Sequence, residues 1–219
     1  MSKSVLVIGL GRFGRYITKK FNELNDEVMA IDINEEKIHD IMPYVVDAKI
    51  ANCRRMETLE SIGVSNFDLC FVCIGTDFQS SLEITCLLKD LGAKKVISKA
   101  SNGFHAKFLM RNGADEVVYP EKASAEKLAT KYSSNHIIDY IEISDDVAIY
   151  EIPVVPSWVD KSIIELDIRK KHKINILAVK NGGKVKSLPD ADYVFNANDQ
   201  LVVMGEQDDV EKVLQKIKS

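Results

Sequence analysis

Short apolar runs alternate with amphipathic stretches along the first 120 positions, and this alternation sets the first expectation. Runs at 5–8, 27–31, 44–46, 68–74, 95–98 and 116–119 have the length of buried strands. The stretches between them, at 14–24, 35–42, 53–62, 79–91 and 105–112, have helical spacing. Strands alternating with helices predict a parallel sheet covered by helices, an α/β domain. Pro120 ends the sixth run by withholding an amide donor.

Residues 121–143 read as a helix followed by a connection, and beyond Asp145 the pattern changes. VAIYEIPVV alternates as a half-buried strand, KSIIELDIRKK is amphipathic, and INILAVK is a second strand. Asn181, Gly182 and Gly183 tolerate positive φ and mark a hairpin. QLVVMG and a last helix, DDVEKVLQKI, complete a β-α-β-β-β-α unit of about 70 residues.

The first strand runs into Gly9, Gly11 and Gly14, spaced G-x-G-x-x-G, with a helix opening at Gly14. In that context the glycines allow a tight turn, a close approach of backbone to phosphate, and close packing of helix on strand. Asp32 ends the second strand eighteen residues later, where a carboxylate binds both hydroxyls of an adenosine ribose and repels a 2′-phosphate. The loop also holds Arg12. The helix N-terminus alone suffices for the two phosphates of NAD, so a guanidinium suits a more charged ligand such as ATP or ADP. The bland reading is a solvated Arg12, or one paired with a neighbouring subunit.

Other candidates stand at the ends of later strands, where such sheets bind ligands. Asp47 and Ala48 are expected to end the third strand, Asp47 either binding the amino group of adenine or making a turn. Gly75 ends the fourth, and Lys99 the fifth, where it faces a phosphate or solvent. Glu121 holds a cation or caps the next helix. Phe13, Ile33 and Ile74 flank these positions and complete the candidate nucleotide contacts.

Composition narrows the function. A net charge of -4 does not attract phosphodiester backbones, so nucleic acid is not an expected partner. No apolar run reaches the ~18 residues of a membrane span, and the N-terminus lacks a signal peptide, so the chain is expected in the cytoplasm. Cys70 and Cys73 form a C-x-x-C within one apolar run, where residues three apart point to opposite faces, so core thiols are expected. His39, His105, His136 and His172 have ordinary surface, helix-end or connection settings, and no acid–base residue for hydride transfer stands out. No catalytic residue is expected.

Taken together, VIGLGRFGRYI, AIDINEEKI, VVDA, CIGTDFQSSL, HAKFLMRNGADEVVYPEK and SIIELDIRKKHKINILAVK resemble successive motifs of the RCK (KTN) family. These are the cytosolic regulatory subunits of bacterial Ktr/Trk potassium uptake systems. The resemblance implies a Rossmann-like nucleotide-binding domain at 1–122, a crossover helix and linker at 123–143, and a small α+β RCK_C (TrkA_C) lobe at 144–219. It also implies homodimers that assemble into an octameric ring beneath a membrane potassium-translocating subunit. ATP is expected to favour the active ring and ADP the inactive one, with NAD(H) bound by some relatives. Family ligand residues fall on the glycine loop, Asp32, Asp47, Ala48 and Lys99. Arg12 matches an arginine that meets the γ-phosphate, and Glu121 a glutamate that helps bind a divalent or monovalent cation at the dimer interface. Some relatives bind cyclic di-AMP between two C-lobes, and the matching segment here carries Ile163, Ile164, Arg169, Ile174, Asn175 and Ile176, with Pro189 nearby; the alternative reading is core isoleucines and a surface Arg169. The chain departs from the family where the third strand continues Asp-Ala-Thr, having Lys49 for the threonine, and after YPEK, where ASA replaces Asp-Met-Gly. The competing expectation is an NAD(H)-binding redox sensor or small oxidoreductase on the same fold.

Overall fold

The computed structural model describes residues 2–133, 137–144 and 146–217; His136, expected in the connection, lies outside the described residues. Backbone contacts divide the chain into two compact units, Met1–Ala123 and Ser124–Ser219. The first runs β1 (Ser4–Ile8), α1 (Arg12–Glu23), β2 (Glu27–Asp32), α2 (Glu35–Ile41), β3 (Asp47–Ile50) and α3 (Met56–Ile62). It continues with β4 (Leu69–Val72), α4 (Phe78–Asp90), β5 (Val96–Lys99), α5 (Gly103–Arg111) and β6 (Glu116–Val118). Helix α6 (Pro120–Ser133) starts in this unit and continues into the next.

All six strands are parallel, in the order β3-β2-β1-β4-β5-β6. The order reverses between β1 and β4, which opens a crevice at their carboxyl ends. Both faces of the sheet are buried, so the apolar runs are continuous rather than alternating. Val5 and Val7 join Val28, Ala30, Phe71 and Ile97 on one face; Leu6 and Ile8 join Ile31, Val72 and Val96 on the other. Each Val, Leu, Ile or Phe among them contributes roughly 1.5–3 kcal/mol on full burial. Cys70 and Cys73 fall in the two different cores, as their spacing predicts, and all four cysteines are free.

One strand differs from the expectation. Residues 42–44 form a 3-10 turn around Pro43, and β3 begins only at Asp47. It is a mostly exposed edge strand, so its DAKI sequence lacks the apolar signal that Val45 and Val46 mimic. The following helix also starts later than expected, at Met56, because an Asx turn at Asn52 intervenes: the Arg54 amide donates to Asn52 Oδ1 at 3.0 Å.

The second unit has β7 (Asp139–Glu142), β8 (Val147–Pro153), α7 (Ile163–Leu166), α8 (Ile168–His172), β9 (Asn175–Asn181), β10 (Lys184–Ser187), β11 (Gln200–Glu206) and α9 (Gln207–Gln215). Its strands form one antiparallel sheet, β10-β9-β11-β8-β7. The expected hairpin joins β9 to β10, with Gly182 and Gly183 at φ 53° and 81°. Strand β7 occupies part of the stretch expected as a connection, and Tyr140 on it pairs with Tyr150 on β8. The amphipathic stretch is two short helices. Ser162 and Glu165 form a capping box at the start of α7, and Asp167 in the left-handed region breaks the helix. Trp158, Ile174, Phe195, Leu201 and Val203 anchor this unit's core. No helix among the described residues is long and apolar enough to cross a membrane.

Candidate functional site

The carboxyl ends of the first unit's strands surround an open pocket of about 630 Å³. Its wall begins with the glycine loop between β1 and α1. Gly9 adopts φ +94°, where a side chain is strained, and a Cβ there would meet Ile74 at 2.9 Å. Gly14 is buried inside α1, beneath the pocket rather than in it, and a Cβ there would overlap the Gly9 carbonyl. Gly11 is different. It is the N-cap of α1, has no side chain to bond the first-turn amides, and a Cβ built on it meets nothing within 4 Å. Gly11, Arg12 and Phe13 all line the pocket, so uncapped helix amides and a cation stand beside open space.

Asp32, at the end of β2, is buried and lines the pocket. Its Oδ2 accepts the Leu10 amide at 2.6 Å and its Oδ1 the Asn34 amide at 2.9 Å, so the carboxylate braces the glycine loop from the neighbouring strand. Lys37 Nζ also reaches Oδ2, at 3.4 Å. Oδ1 keeps a further lone pair for a ribose hydroxyl, whereas a second hydroxyl at Oδ2 would have to displace Lys37 Nζ. Ile33, beside it, is largely exposed on the pocket wall.

On the other side of β1, Ile74 and Gly75 follow β4, and Asp77 caps α4 by accepting the Ser80 amide at 3.0 Å. Lys99 at the end of β5 donates to Glu121 Oε1 at 2.6 Å, and its Nζ lies 6.0 Å from the Phe13 ring centroid. The Lys99 hydrogen bond, the Glu121 backbone amide and the nearby charges of Lys99 and Arg12 hold the Glu121 carboxyl below its ordinary range. The Arg12 side chain itself makes no hydrogen bond or ion pair among the described residues. No group of three His, Cys, Asp or Glu among the described residues could hold a metal. Glu121 alone, already paired with Lys99, is not a fitting metal site within one chain.

Asp47 and Ala48 do not stand where the sequence pattern puts them. They begin β3, opposite Met29 and Ala30, and the Asp47 carboxylate accepts the Ala48 amide at 2.8 Å. With a rise of about 3.3 Å per residue, Asp47 lies about 10 Å short of the strand's carboxyl end. The strand-end place belongs to Ala51, Asn52, Cys53 and Arg54, all of which line the pocket. Nothing in the apolar pattern marks them; the Asx-turn asparagine was the available signal. The Cys53 and Cys73 thiols on the wall are pushed up to about 12, mainly by burial, and are poor nucleophiles.

The remaining candidates belong to the second unit. Ile164 and Arg169 are exposed, and Ile163, Asn175, Ile176 and Pro189 are half-buried. Ile174 is a correction: its side chain is fully buried in the core against Gly205, so it presents no surface to a ligand.

Each unit matches a family model, the TrkA-N domain over residues 5–120 and the TrkA-C domain over residues 147–218. The chain is 38% identical over 211 residues to the Ktr system potassium uptake protein A of Bacillus subtilis, covering 96% of this chain and 95% of that one. It is 37% identical over 217 residues to the Ktr system potassium uptake protein C of the same organism, covering 99% and 98%. In fold it resembles a structure of the GsuK channel bound to NAD, with a TM-score of 0.65 at 17% identity; the match spans 99% of this chain and 40% of that chain. Agreement along nearly the full length of two relatives, with a separate match in each unit, makes the assignment plain: the chain belongs to the TrkA-N and TrkA-C domain family, in the company of the Ktr potassium uptake proteins.

Proposed function

We propose that the chain is a nucleotide-sensing regulatory subunit of a potassium uptake system, not an enzyme. In this reading it is cytoplasmic, forms homodimers that assemble into an octameric ring, and controls a membrane potassium-translocating subunit. Its likeness to two Ktr system potassium uptake proteins along nearly their whole length supports the potassium role. The observation that carries the sensing role is Arg12, a guanidinium that makes no hydrogen bond or ion pair among the described residues, at the open N-terminus of α1 and on the wall of the pocket. The pocket volume is within the ~300–1,000 Å³ of small-molecule sites. Its described lining includes no histidine, and its thiols are held protonated, which supports binding over acid–base or nucleophilic chemistry.

Gly9 and Gly11 would admit the phosphates, Asp32 the ribose, and Arg12 with Lys99 the terminal phosphate. Exchange of ATP for ADP removes the group that those two cations would hold. A ligand shifts a two-state assembly only through its different affinity for the two states, and the terminal phosphate supplies that difference. Cyclic di-AMP belongs to the same reading as a second ligand, with the exposed Arg169 and Ile164 as contacts in the second unit.

The test is isothermal titration of the purified chain with ATP, ADP, NADH and cyclic di-AMP, with the assembly followed by small-angle scattering. ATP and ADP should differ in affinity and give different particle shapes. Equal affinity and one shape would sink the switch. Asp32 and the glycine loop do not separate ATP from NAD(H), so tight NADH binding that ATP cannot displace would favour the redox-sensor reading.

A further inference from the structure

Arg54 lines the same pocket from the β3 side, its backbone away from the phosphate loop and its guanidinium reaching back to α4. The strand order puts β3 two places from β1. At about 4.8 Å per strand, its carboxyl end is about 10 Å across the sheet from the glycine loop, on the far side of Asp32. Arg54 lies in the Asx turn that follows this end, and it lines the pocket.

Its guanidinium is not a loose surface charge. Glu83 of α4 accepts from both Nε and Nη2, the second at 3.1 Å, and Gln79 Nε2 steadies Glu83 by donating to Oε1 at 2.6 Å. Two bonds to one carboxylate fix the plane of a guanidinium, which a single contact would not. The side chain is still 42% exposed, so the ion pair leaves much of it uncovered. Ile33, at the end of the intervening strand, is 73% exposed on the same pocket wall. A flat immobilised cation and an exposed aliphatic side chain suit a planar aromatic ring.

We propose that Arg54, held in plane by Glu83, is the platform on which the purine base of the bound nucleotide stacks. It thereby sets the affinity for the nucleoside end, whatever the number of phosphates. The proposal rests on the nucleotide-binding reading and adds a base contact to it. Arg12 tells phosphates apart, while Arg54 recognises what ATP, ADP and AMP share.

The experiment is titration of the full chain with AMP, ADP and ATP in the wild type, Arg54→Ala, Arg54→Lys and Arg12→Ala. Arg54→Ala should weaken all three by the same factor, about tenfold, the scale of one aromatic or cation stack on a base. Arg54→Lys keeps the charge and a bond to Glu83 but not the planar face, so it should lose nearly as much. Arg12→Ala should instead cost ATP more than AMP. Unchanged AMP affinity in both Arg54 variants would overturn the proposal, as would a loss that grows with phosphate number. A wild type that binds none of the three overturns the nucleotide reading and this inference together. Binding that is indifferent to Arg54 overturns this inference alone.

Discussion

Lys99 Nζ lies 2.6 Å from Glu121 Oε1, joining the end of β5 to the first turn of α6. The lysine is 14% exposed and the glutamate 63%, so the cation sits on the pocket wall with its partner at the rim. An incoming phosphate and Glu121 would compete for the same ammonium.

The competition has a direction. In the presence of a chelator, Glu121→Gln is expected to tighten ATP several-fold and ADP less, since it frees Lys99 and removes a negative charge. Lys99→Met is expected to weaken ATP by tenfold or more and ADP by less, as a hydrogen bond to a charged group is worth roughly 1.5–3 kcal/mol. Titration calorimetry at fixed ionic strength reads both. Weaker binding in Glu121→Gln would show that the pair assists the ligand rather than opposing it.

Gly11 and Gly14 should separate binding from folding. Gly11→Ala fits a backbone at φ -65° and meets no neighbour within 4 Å, so its denaturation midpoint should match the wild type within about 0.5 kcal/mol of stability. Its methyl group occupies the space beside the helix amides, and nucleotide affinity should fall tenfold or more. Gly14→Ala collides with the Gly9 carbonyl and should lower stability itself. Chemical denaturation and titration of the two variants make the comparison.

Asp32→Asn should damage the loop before any ligand is added. The carboxylate accepts amides from both Leu10 and Asn34, and the side-chain amide has only one acceptor oxygen. One buried donor is left without its partner, a loss of about 1–3 kcal/mol. A urea midpoint equal to that of the wild type would show that the loop does not need this brace.

His105 makes stability fall with acid in a defined window. The ring is fully buried; Nδ1 accepts the Ser101 amide at 3.2 Å, and Nε2 faces Ser81 Oγ at 2.6 Å, a neutral arrangement. Burial lowers its pKa from the ordinary 6.5. Below about pH 6.5 the unfolded chain takes up a proton that the folded chain refuses, so stability drops until the folded pKa is reached. His172 is shifted the same way and adds to the slope. Urea midpoints from pH 7.5 to 5 should therefore decline, and His105→Gln should flatten part of that decline. An unchanged slope in this variant would assign the effect elsewhere.

What could be read in advance was local. Gly9 and Gly14 are a steric requirement of the fold and Gly11 leaves room for a ligand, all within six positions, and Asp32 ends the apolar run of the second strand. Val45 and Val46 look more like a strand than the exposed DAKI that follows, so the apolar pattern points a few residues too early for the third strand. That shift of a few residues gave Asp47 a place that Asn52, Cys53 and Arg54 hold. The Arg54–Glu83 pair joins residues 29 apart, and the His105–Ser81 contact residues 24 apart. Such pairings follow from strand order, which periodicity does not encode. Of the two readings open for Ile174, the core one holds; an aliphatic near a ligand segment carries no mark of which way it faces.

Strand β3 is short, lies at the sheet edge and pairs only with β2, whereas β1 and β4 have neighbours on both sides. The two ends of the pocket therefore rest on supports of unequal firmness. Edge amides open and exchange with solvent more readily than central ones, so thermal breathing should loosen the nucleoside end while the phosphate end stays gripped. Departure of a nucleotide would then be a peeling motion that starts at the base, with the terminal phosphate the last group to let go.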